Sequence, residues 1–257
     1  MPELPEVETV VRQLKEHLTG REIKKLTIYD EKVIDPQIKQ HLPFKINNIS
    51  RNGKYITFNL NNGKYLFTHL RMTGYFNINK KDRYTSGLFE YGKNYFTYNT
   101  IRRFGSIKLL NKTQIKQKYA KLGLEPLKCN GDEFIQLMQR YPKSNIKNKI
   151  MDQNVILGIG NIYAQEAMYY AGINPNKKIN QISELQLTKL HAEIQRVLKL
   201  AIKHNGSTVD NYSNLDGKGN FQNFLAVYKQ EACPKKHSLK KIKIGGRGTT
   251  YCPQCQK

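Results

Sequence analysis

Lys54-Tyr55-Ile56-Thr57-Phe58-Asn59-Leu60-Asn61-Asn62-Gly63-Lys64-Tyr65-Leu66-Phe67 carries the clearest structural signal in the chain. Two short runs of aromatic and β-branched residues flank Asn-Gly, the dipeptide that best tolerates a tight reversal, so the segment reads as a β-hairpin. A second pair of runs, Leu88-Phe89-Glu90-Tyr91 and Tyr95-Phe96-Thr97-Tyr98, surrounds Gly92. Short runs separated by turn signals continue over about 23–110. Upstream, Val7, Val10, Val11, Leu14 and Leu18 fall on one stripe of a helix over 6–18, which Gly20 ends. The first half is therefore expected to be a β-sandwich with one N-terminal helix.

Downstream the pattern changes at 112–130. Helical spacing then predicts segments at 132–139, about 144–157, 161–171 and 183–205. In the last of these Leu185, Leu187, Leu190, Ile194, Val197, Leu198 and Ala201 repeat at near-helical intervals. A Gly-, Asn- and Ser-rich loop at 206–220 leads into a final module. Strands first and helices afterwards point to an α+β multidomain chain, with domains expected at 1–125, 126–221 and 222–257.

The chain has 257 residues, 43 Lys+Arg against 20 Asp+Glu, and a formal charge of +23. Such a surplus favours a polyanionic partner, most simply nucleic acid. A coding bias towards Lys, Asn and Ile produces the same surplus, so the position of the charge matters more than its sum. No apolar run approaches the ~20 residues that span a bilayer, and the first residues lack the layout of a signal peptide. Four cysteines in a chain of this length do not make a disulfide framework and fit a reducing, intracellular setting.

Chemistry concentrates at four places. Once Met1 is removed, Pro2 presents a secondary amine beside the Glu3 carboxylate. An α-amine near pKa ~7.8 is far readier to attack an electron-poor carbon at neutral pH than a lysine near ~10.4. Cys252-Pro253-Gln254-Cys255 has the two-residue spacing of half a zinc site, and Cys233 with His237 supplies a second pair. Between them, 240–251 reads as two strands around a Gly-rich turn with Arg247 at its tip. At 155–164, glycines precede Asn161, which suits either a phosphate-binding helix start with Asn161 as its cap or a close helix crossing. His69-Leu70-Arg71-Met72 and Arg102-Arg103-Phe104-Gly105 place cations beside apolar side chains. Met72 and Phe104 read either as core residues or as wedges that fill a DNA stack vacated by an extruded nucleotide.

These pieces, in this order, resemble the bacterial formamidopyrimidine-DNA glycosylase family. The resemblance rests on the Pro2–Glu8 start, Arg51-Asn52-Gly53-Lys54-Tyr55, Arg102-Arg103-Phe104-Gly105, Met151-Asp152-Gln153, Gly158-Ile159-Gly160-Asn161-Ile162-Tyr163-Ala164 and Gly246-Arg247-Gly248-Thr249. It implies a sandwich domain, a helix–two-turn–helix domain and a zinc-finger hairpin. It also implies a monomeric, cytoplasmic, nucleoid-associated repair enzyme acting on damaged double-stranded DNA. Such an enzyme removes 8-oxoguanine and formamidopyrimidines and cleaves the strand by β,δ-elimination.

By the same resemblance Pro2 is the nucleophile at the sugar C1′ and Glu3 handles protons. Lys54 and Arg247 complete the catalytic set as phosphate contacts at the damaged nucleotide. Glu6, His69, Met72, Arg102, Arg103, Phe104, Lys147 and Asn161 form the DNA-binding set. Cys233, His237, Cys252 and Cys255 hold one structural zinc ion, and the loop at about 207–220 closes over the extruded base. Two positions depart from the family pattern: Lys236 stands where a second cysteine is usual, with His237 beside it, and Thr100-Ile101 replaces Asp-Pro. An endonuclease-VIII-like branch favouring oxidised pyrimidines is the near alternative, against which Leu4 and Val7-Glu8 speak. A DNA-binding zinc protein without activity is the distant one.

Overall fold

A computed structural model describes residues 1–208, 215 and 217–257, which form two compact units. The first comprises Met1–Lys121 with the described part of Asn205–Asn220, the second Leu122–His204 with Phe221–Lys257.

The first unit opens with helix α1, Leu4–Leu18, which starts earlier than the apolar stripe predicts because Pro5 is accommodated in its first turn. The expected stripe, Val7 to Leu18, is buried. Nine strands follow: β1 (Glu22–Ile23), β2 (Lys25–Ile28), β3 (Phe44–Asn52), β4 (Tyr55–Leu60), β5 (Tyr65–His69), β6 (Gly74–Ile78), β7 (Thr85–Tyr91), β8 (Asn94–Thr100) and β9 (Ser106–Leu110). They make a five-stranded sheet ordered β1-β3-β4-β5-β9 and a four-stranded sheet ordered β2-β7-β8-β6. The predicted hairpin is β4–β5, in register from Tyr55↔His69 to Asn59↔Tyr65, with Gly63 at φ +73° in its turn.

One apolar core joins α1 to both sheets through Val10, Leu14, Ile56, Phe58, Phe89 and Phe96. Phe89 and Phe96 stack with ring centroids 4.5 Å apart. Truncating such a buried ring typically costs about 3–5 kcal/mol. The sandwich with its N-terminal helix is thus the observed architecture. An unexpected helix, α2 (Lys112–Ala120), follows β9.

The second unit contains α3 (Gly131–Gln139), α4 (Ile146–Met151), α5 (Asn161–Ala171), α6 (Glu184–Lys203) and the hairpin β10 (Lys240–Ile244)–β11 (Arg247–Tyr251). Helix α4 stops well short of 157. Beyond it the Asp152 carbonyl accepts N–H groups from both Val155 and Ile156, and the apolar run to Gly160 is buried as turns instead of helix. Gln153 knits those turns: its Oε1 accepts from Gly158 N at 2.9 Å and its Nε2 donates to Ile159 O at 2.8 Å. Gly158 adopts φ +79° there, a conformation glycine reaches without strain. Among the described residues no helix is long and apolar enough to cross a membrane.

Candidate nucleic-acid interface and metal centre

In the first unit, Pro2 and Glu3 are buried at the head of α1. The Glu6 carboxylate, also buried, accepts the Glu3 N–H at 2.8 Å and the Ser207 N–H at 2.7 Å. Gly206, at φ +77°, makes that approach possible, because a Cβ there would lie 2.8 Å from Glu6 Oε1. Glu6 therefore ties the N-terminal end of α1 to the segment entering the 207–220 loop. Residues 209–214 and 216 of that loop lie outside the described residues.

Lys54 is buried in the turn between β3 and β4. Arg51 braces this turn, donating to Gly53 O at 3.1 Å and to Glu8 Oε2 at 2.7 Å. Burial acts to raise the Glu8 carboxyl, but the hydrogen bond and charge of Arg51 outweigh it and hold the group below its ordinary value. His69, at the end of β5, is lowered to about 3 by burial first and then by the charges of Arg71 and Lys54. Its ring is therefore neutral at neutral pH. Nδ1 accepts the Arg71 N–H at 2.8 Å, which leaves the ring proton of the neutral imidazole on Nε2.

Met72 and Phe104 are not core residues: they are 47% and 58% exposed. Arg102 joins them, with Nη1 at 3.5 Å from Met72 Sδ and its guanidinium 5.1 Å from the Phe104 ring centroid. Its backbone N–H is fixed on Thr73 Oγ1 at 3.0 Å. Arg103, by contrast, pairs with Asp30 and takes a left-handed backbone with φ 55°.

In the second unit, Gly160 takes the cap position of α5, so Asn161 is its first helical residue and not its cap as the sequence suggested. Asn161 Nδ2 donates to Gly248 O at 3.0 Å, and its Oδ1 accepts from Lys147 Nζ at 2.7 Å. Lys147 has no exposed surface, so in this geometry its ammonium fixes Asn161. Gln165, one turn later, donates to Asn161 O (2.8 Å) and accepts from Thr250 N (2.6 Å). Helix start and strand β11 are thereby locked together, with exposed Arg247 at the start of β11 beside the Gly245-Gly246 turn. A helix N-terminus with an amide and an adjacent guanidinium suits a phosphodiester.

The ligand atoms of Cys233, His237, Cys252 and Cys255 lie within 4.8 Å of one another. His237 Nδ1 is 3.3 Å from Cys255 Sγ and 3.6 Å from Cys252 Sγ. Bonds of ~2.3 Å to sulfur and ~2.0 Å to nitrogen place ligands of a tetrahedral zinc about 3.5 Å apart, so the donor set and spacing fit one zinc ion. His237 reaches the cluster because Lys236 takes φ 63° and its N–H closes a turn on Cys233 O at 2.7 Å.

Sequence reasoning assigned no role to Gln153, Gln165, Arg51 or Glu166. Glu166 is fully buried and accepts N–H bonds from Ala226, Val227 and Tyr228 at 2.7, 3.1 and 2.8 Å, anchoring the segment that leads to the metal module. Arg51 and Gln153 fall within the Arg51-Asn52-Gly53-Lys54-Tyr55 and Met151-Asp152-Gln153 motifs. Gln165 and Glu166 interrupt an otherwise apolar helix, and that interruption was their only signal.

Three family profiles match the chain in order: "Formamidopyrimidine-DNA glycosylase N-terminal domain" at residues 1–107, "Formamidopyrimidine-DNA glycosylase H2TH domain" at 122–213 and "Zinc finger found in FPG and IleRS" at 236–257. A formamidopyrimidine-DNA glycosylase of an Exiguobacterium species is 34% identical over 275 residues, covering 100% of both chains. That of Mycoplasma mobile is 36% identical over 279 residues, covering 100% of this chain and 99% of its own. A Lactococcus lactis FPG variant solved with Fapy-dG-containing DNA superposes with a TM-score of 0.93 at 33% identity over 100% of both chains. The Lactococcus lactis Fpg bound to abasic-site DNA gives 0.93 at 32% identity over 99% of each.

Proposed function

The chain belongs to the formamidopyrimidine-DNA glycosylase family, and from that membership we propose that it excises oxidised purines from duplex DNA and then cleaves the strand. The bases removed are 8-oxoguanine and ring-opened formamidopyrimidines. The reading is carried by the head of α1, where Pro2 and Glu3 are buried and Glu6 fixes the Glu3 backbone. A secondary amine held there suits attack on a single sugar carbon far better than a mobile chain end does.

The damaged nucleotide must first leave the stack, at a cost of a few kcal/mol. Phosphate contacts from Lys54, His69, Asn161 and Arg247 offset that cost, and Met72, Arg102 and Phe104 take the vacated space. With Met1 removed, the Pro2 nitrogen bonds to C1′ as the glycosidic bond breaks and the base departs with its electron pair. Glu3 supplies a proton to the sugar ring oxygen, the ring opens, and an iminium remains on Pro2. The iminium acidifies the C2′ proton; its loss expels the 3′ phosphate, and a second elimination expels the 5′ phosphate. Hydrolysis then frees the amine. Zinc, when bound, supplies structure to the β10–β11 hairpin and enters no step.

Lys147 supports Asn161 in the second unit, while in the first unit Glu6 lies in the pocket of Pro2 and Glu3, and Arg103 meets DNA beside Arg102. The chain is a monomer with sandwich, helix–two-turn–helix and zinc-hairpin domains at 1–125, 126–221 and 222–257. It works in the cytoplasm at the nucleoid. Intact mass combined with borohydride trapping on abasic-site duplex tests the reading. A covalent adduct through Pro2 in protein lacking Met1 is expected; full strand cleavage by protein that retains Met1 would overturn it.

A further inference from the structure

Beside the wedge residues, the first unit carries a cleft of about 520 Å³ lined by Tyr29, Lys81, Arg83, Tyr84, Ile101 and Arg103 among others. It has no role in the reaction described above. Two of its large side chains are poorly covered: Tyr29 is 49% and Ile101 40% exposed. With Met72, Phe104 and Met1 they complete the exposed large apolar side chains among the described residues of that unit. Ile101 and Arg103 directly flank Arg102, so cleft and wedge share one loop.

The cleft combines cations with aromatic faces. Lys81 donates to the Tyr29 hydroxyl at 2.9 Å and lies 4.1 Å from its ring centroid, and the Arg83 guanidinium lies 4.8 Å from the Tyr84 centroid. The two acids at the site are already engaged. Asp30 holds Arg103 and the Lys32 N–H. Asp82 accepts from the Tyr75 hydroxyl at 2.6 Å and the Tyr84 N–H at 2.8 Å, while Thr85 Oγ1 accepts the Asp82 N–H at 3.1 Å. These bonds hold the 79–85 loop in shape before any ligand arrives. Cations alternating with aromatic rings match a nucleic-acid strand, which offers a phosphate and a planar base or sugar at each step.

We propose that this cleft is a second DNA-docking site, taking one nucleotide of a strand that runs past the wedge. Its phosphate lies against Lys81, Arg83 and Arg103, and its sugar or base against Tyr29 and Ile101. The site steadies the duplex next to the point where the wedge opens it. The proposal rests on the DNA-repair reading and extends it to residues outside the reaction.

The test uses zinc-loaded full-length protein, the K81A/R83A variant and a duplex carrying a stable abasic analogue, with binding followed by anisotropy across a salt series. The variant should bind roughly tenfold more weakly at low salt, with a log–log salt slope shallower by about 0.9 for each phosphate it no longer neutralises. That penalty should vanish on one of two duplexes shortened on either side of the lesion, the one that no longer reaches the cleft. Y29A should weaken binding on the long duplex, and Y29F should restore it by returning the ring. Unchanged affinity and slope in K81A/R83A, or an equal penalty on both shortened duplexes, would overturn the site. Borohydride trapping on abasic DNA separates this from the broader reading: failure of the unaltered protein to trap removes the repair function, whereas a cleft variant that traps normally at saturation does not.

Discussion

Glu6 accepts the backbone N–H of Ser207 at 2.7 Å across 201 positions of sequence. The same carboxylate holds the Glu3 N–H, so one buried side chain aligns the proposed nucleophile's neighbour with the segment entering the 207–220 loop. Glu6→Gln keeps the shape but presents an N–H to one of two backbone N–H donors. Hydrogen bonds to a charged group contribute about 1.5–3 kcal/mol. The variant should therefore lose a few degrees of thermal midpoint, roughly 2–4 °C per kcal/mol for a chain of this size, and trap abasic DNA more slowly. Unchanged midpoint and unchanged trapping together would show that the carboxylate aligns nothing.

His69 should stay neutral well below the range in which an exposed histidine protonates. Its folded value is lowered to about 3, by burial first and then by Arg71 and Lys54, against ~6.5 for a free imidazole. The sign follows from proton uptake. Below pH ~6.5 the unfolded chain binds a proton that the folded chain does not, so this residue makes folding less favourable as pH falls from ~6.5 towards 3. The check is an NMR titration of the His69 ring: no midpoint is expected between pH 7.5 and 5, and a midpoint near 6 would contradict the half-buried, cation-flanked ring. His69→Gln should correspondingly flatten the acid side of the stability profile.

Lys236 occupies left-handed backbone at φ 63°, which costs an L-residue about 1–2 kcal/mol. The turn brings His237 to the three cysteines, so strain at Lys236 opposes metal closure. Lys236→Gly should remove that cost, partly offset by about 0.5–1 kcal/mol of extra freedom in the unfolded chain. Lys236→Val, β-branched and least tolerant of this region, should increase the strain. Zinc transfer to a chromogenic chelator should accordingly be slowest in the glycine variant, intermediate in the parent and fastest in the valine variant. Equal rates in all three would break the link between this turn and the metal.

The sequence showed some elements plainly and hid others for identifiable reasons. The β4–β5 hairpin and α5 were legible because turn chemistry and residue spacing agreed over their whole lengths. Helix α2 was missed because only Ile115 is buried on it. With one buried side chain it shows no apolar stripe, and its capping pair Asn111 and Gln114 was the remaining clue. Helix α4 was overextended because apolar residues buried in turns look like apolar residues buried in a helix. The two-turn element depends on Gln153, whose side chain substitutes for backbone partners. Polar side chains such as Gln165, Glu166 and Lys147 were the least legible. A buried amide and an exposed one are the same letter, and only the fold shows which backbone groups need them.

Lys147 and Asn161 offer a way to separate support from contact. Lys147 Nζ sits 2.7 Å from Asn161 Oδ1 without any exposed surface. Lys147→Met replaces the buried ammonium with an apolar chain of similar length, which removes a charge from the interior but takes away the donor to Asn161 Oδ1. The fold should stay within about 1–2 kcal/mol of the parent's stability, yet DNA affinity should fall because the Asn161 amide loses its fixed orientation. Asn161→Ala should weaken binding at least as much, and the double variant no more than Asn161→Ala alone. Strictly additive losses would mean that Lys147 reaches the phosphate by itself.

Met72 and Phe104 distinguish wedge from core. Both are about half exposed, and Arg102 bridges them. Core truncations of this size cost about 2–5 kcal/mol, whereas substitutions of exposed side chains usually stay within about 0.5 kcal/mol. Phe104→Ala and Met72→Ala should therefore leave the thermal midpoint nearly unchanged. The loss should appear in catalysis on paired duplex, where the lesion must be extruded and the gap filled, at the few kcal/mol that unstacking requires. On a lesion opposite a gap or a mismatch, where part of that cost is already met, the variants should recover much of the parent's rate. Stability losses of core size, or equal rate losses on paired and mismatched substrates, would return both side chains to a packing role.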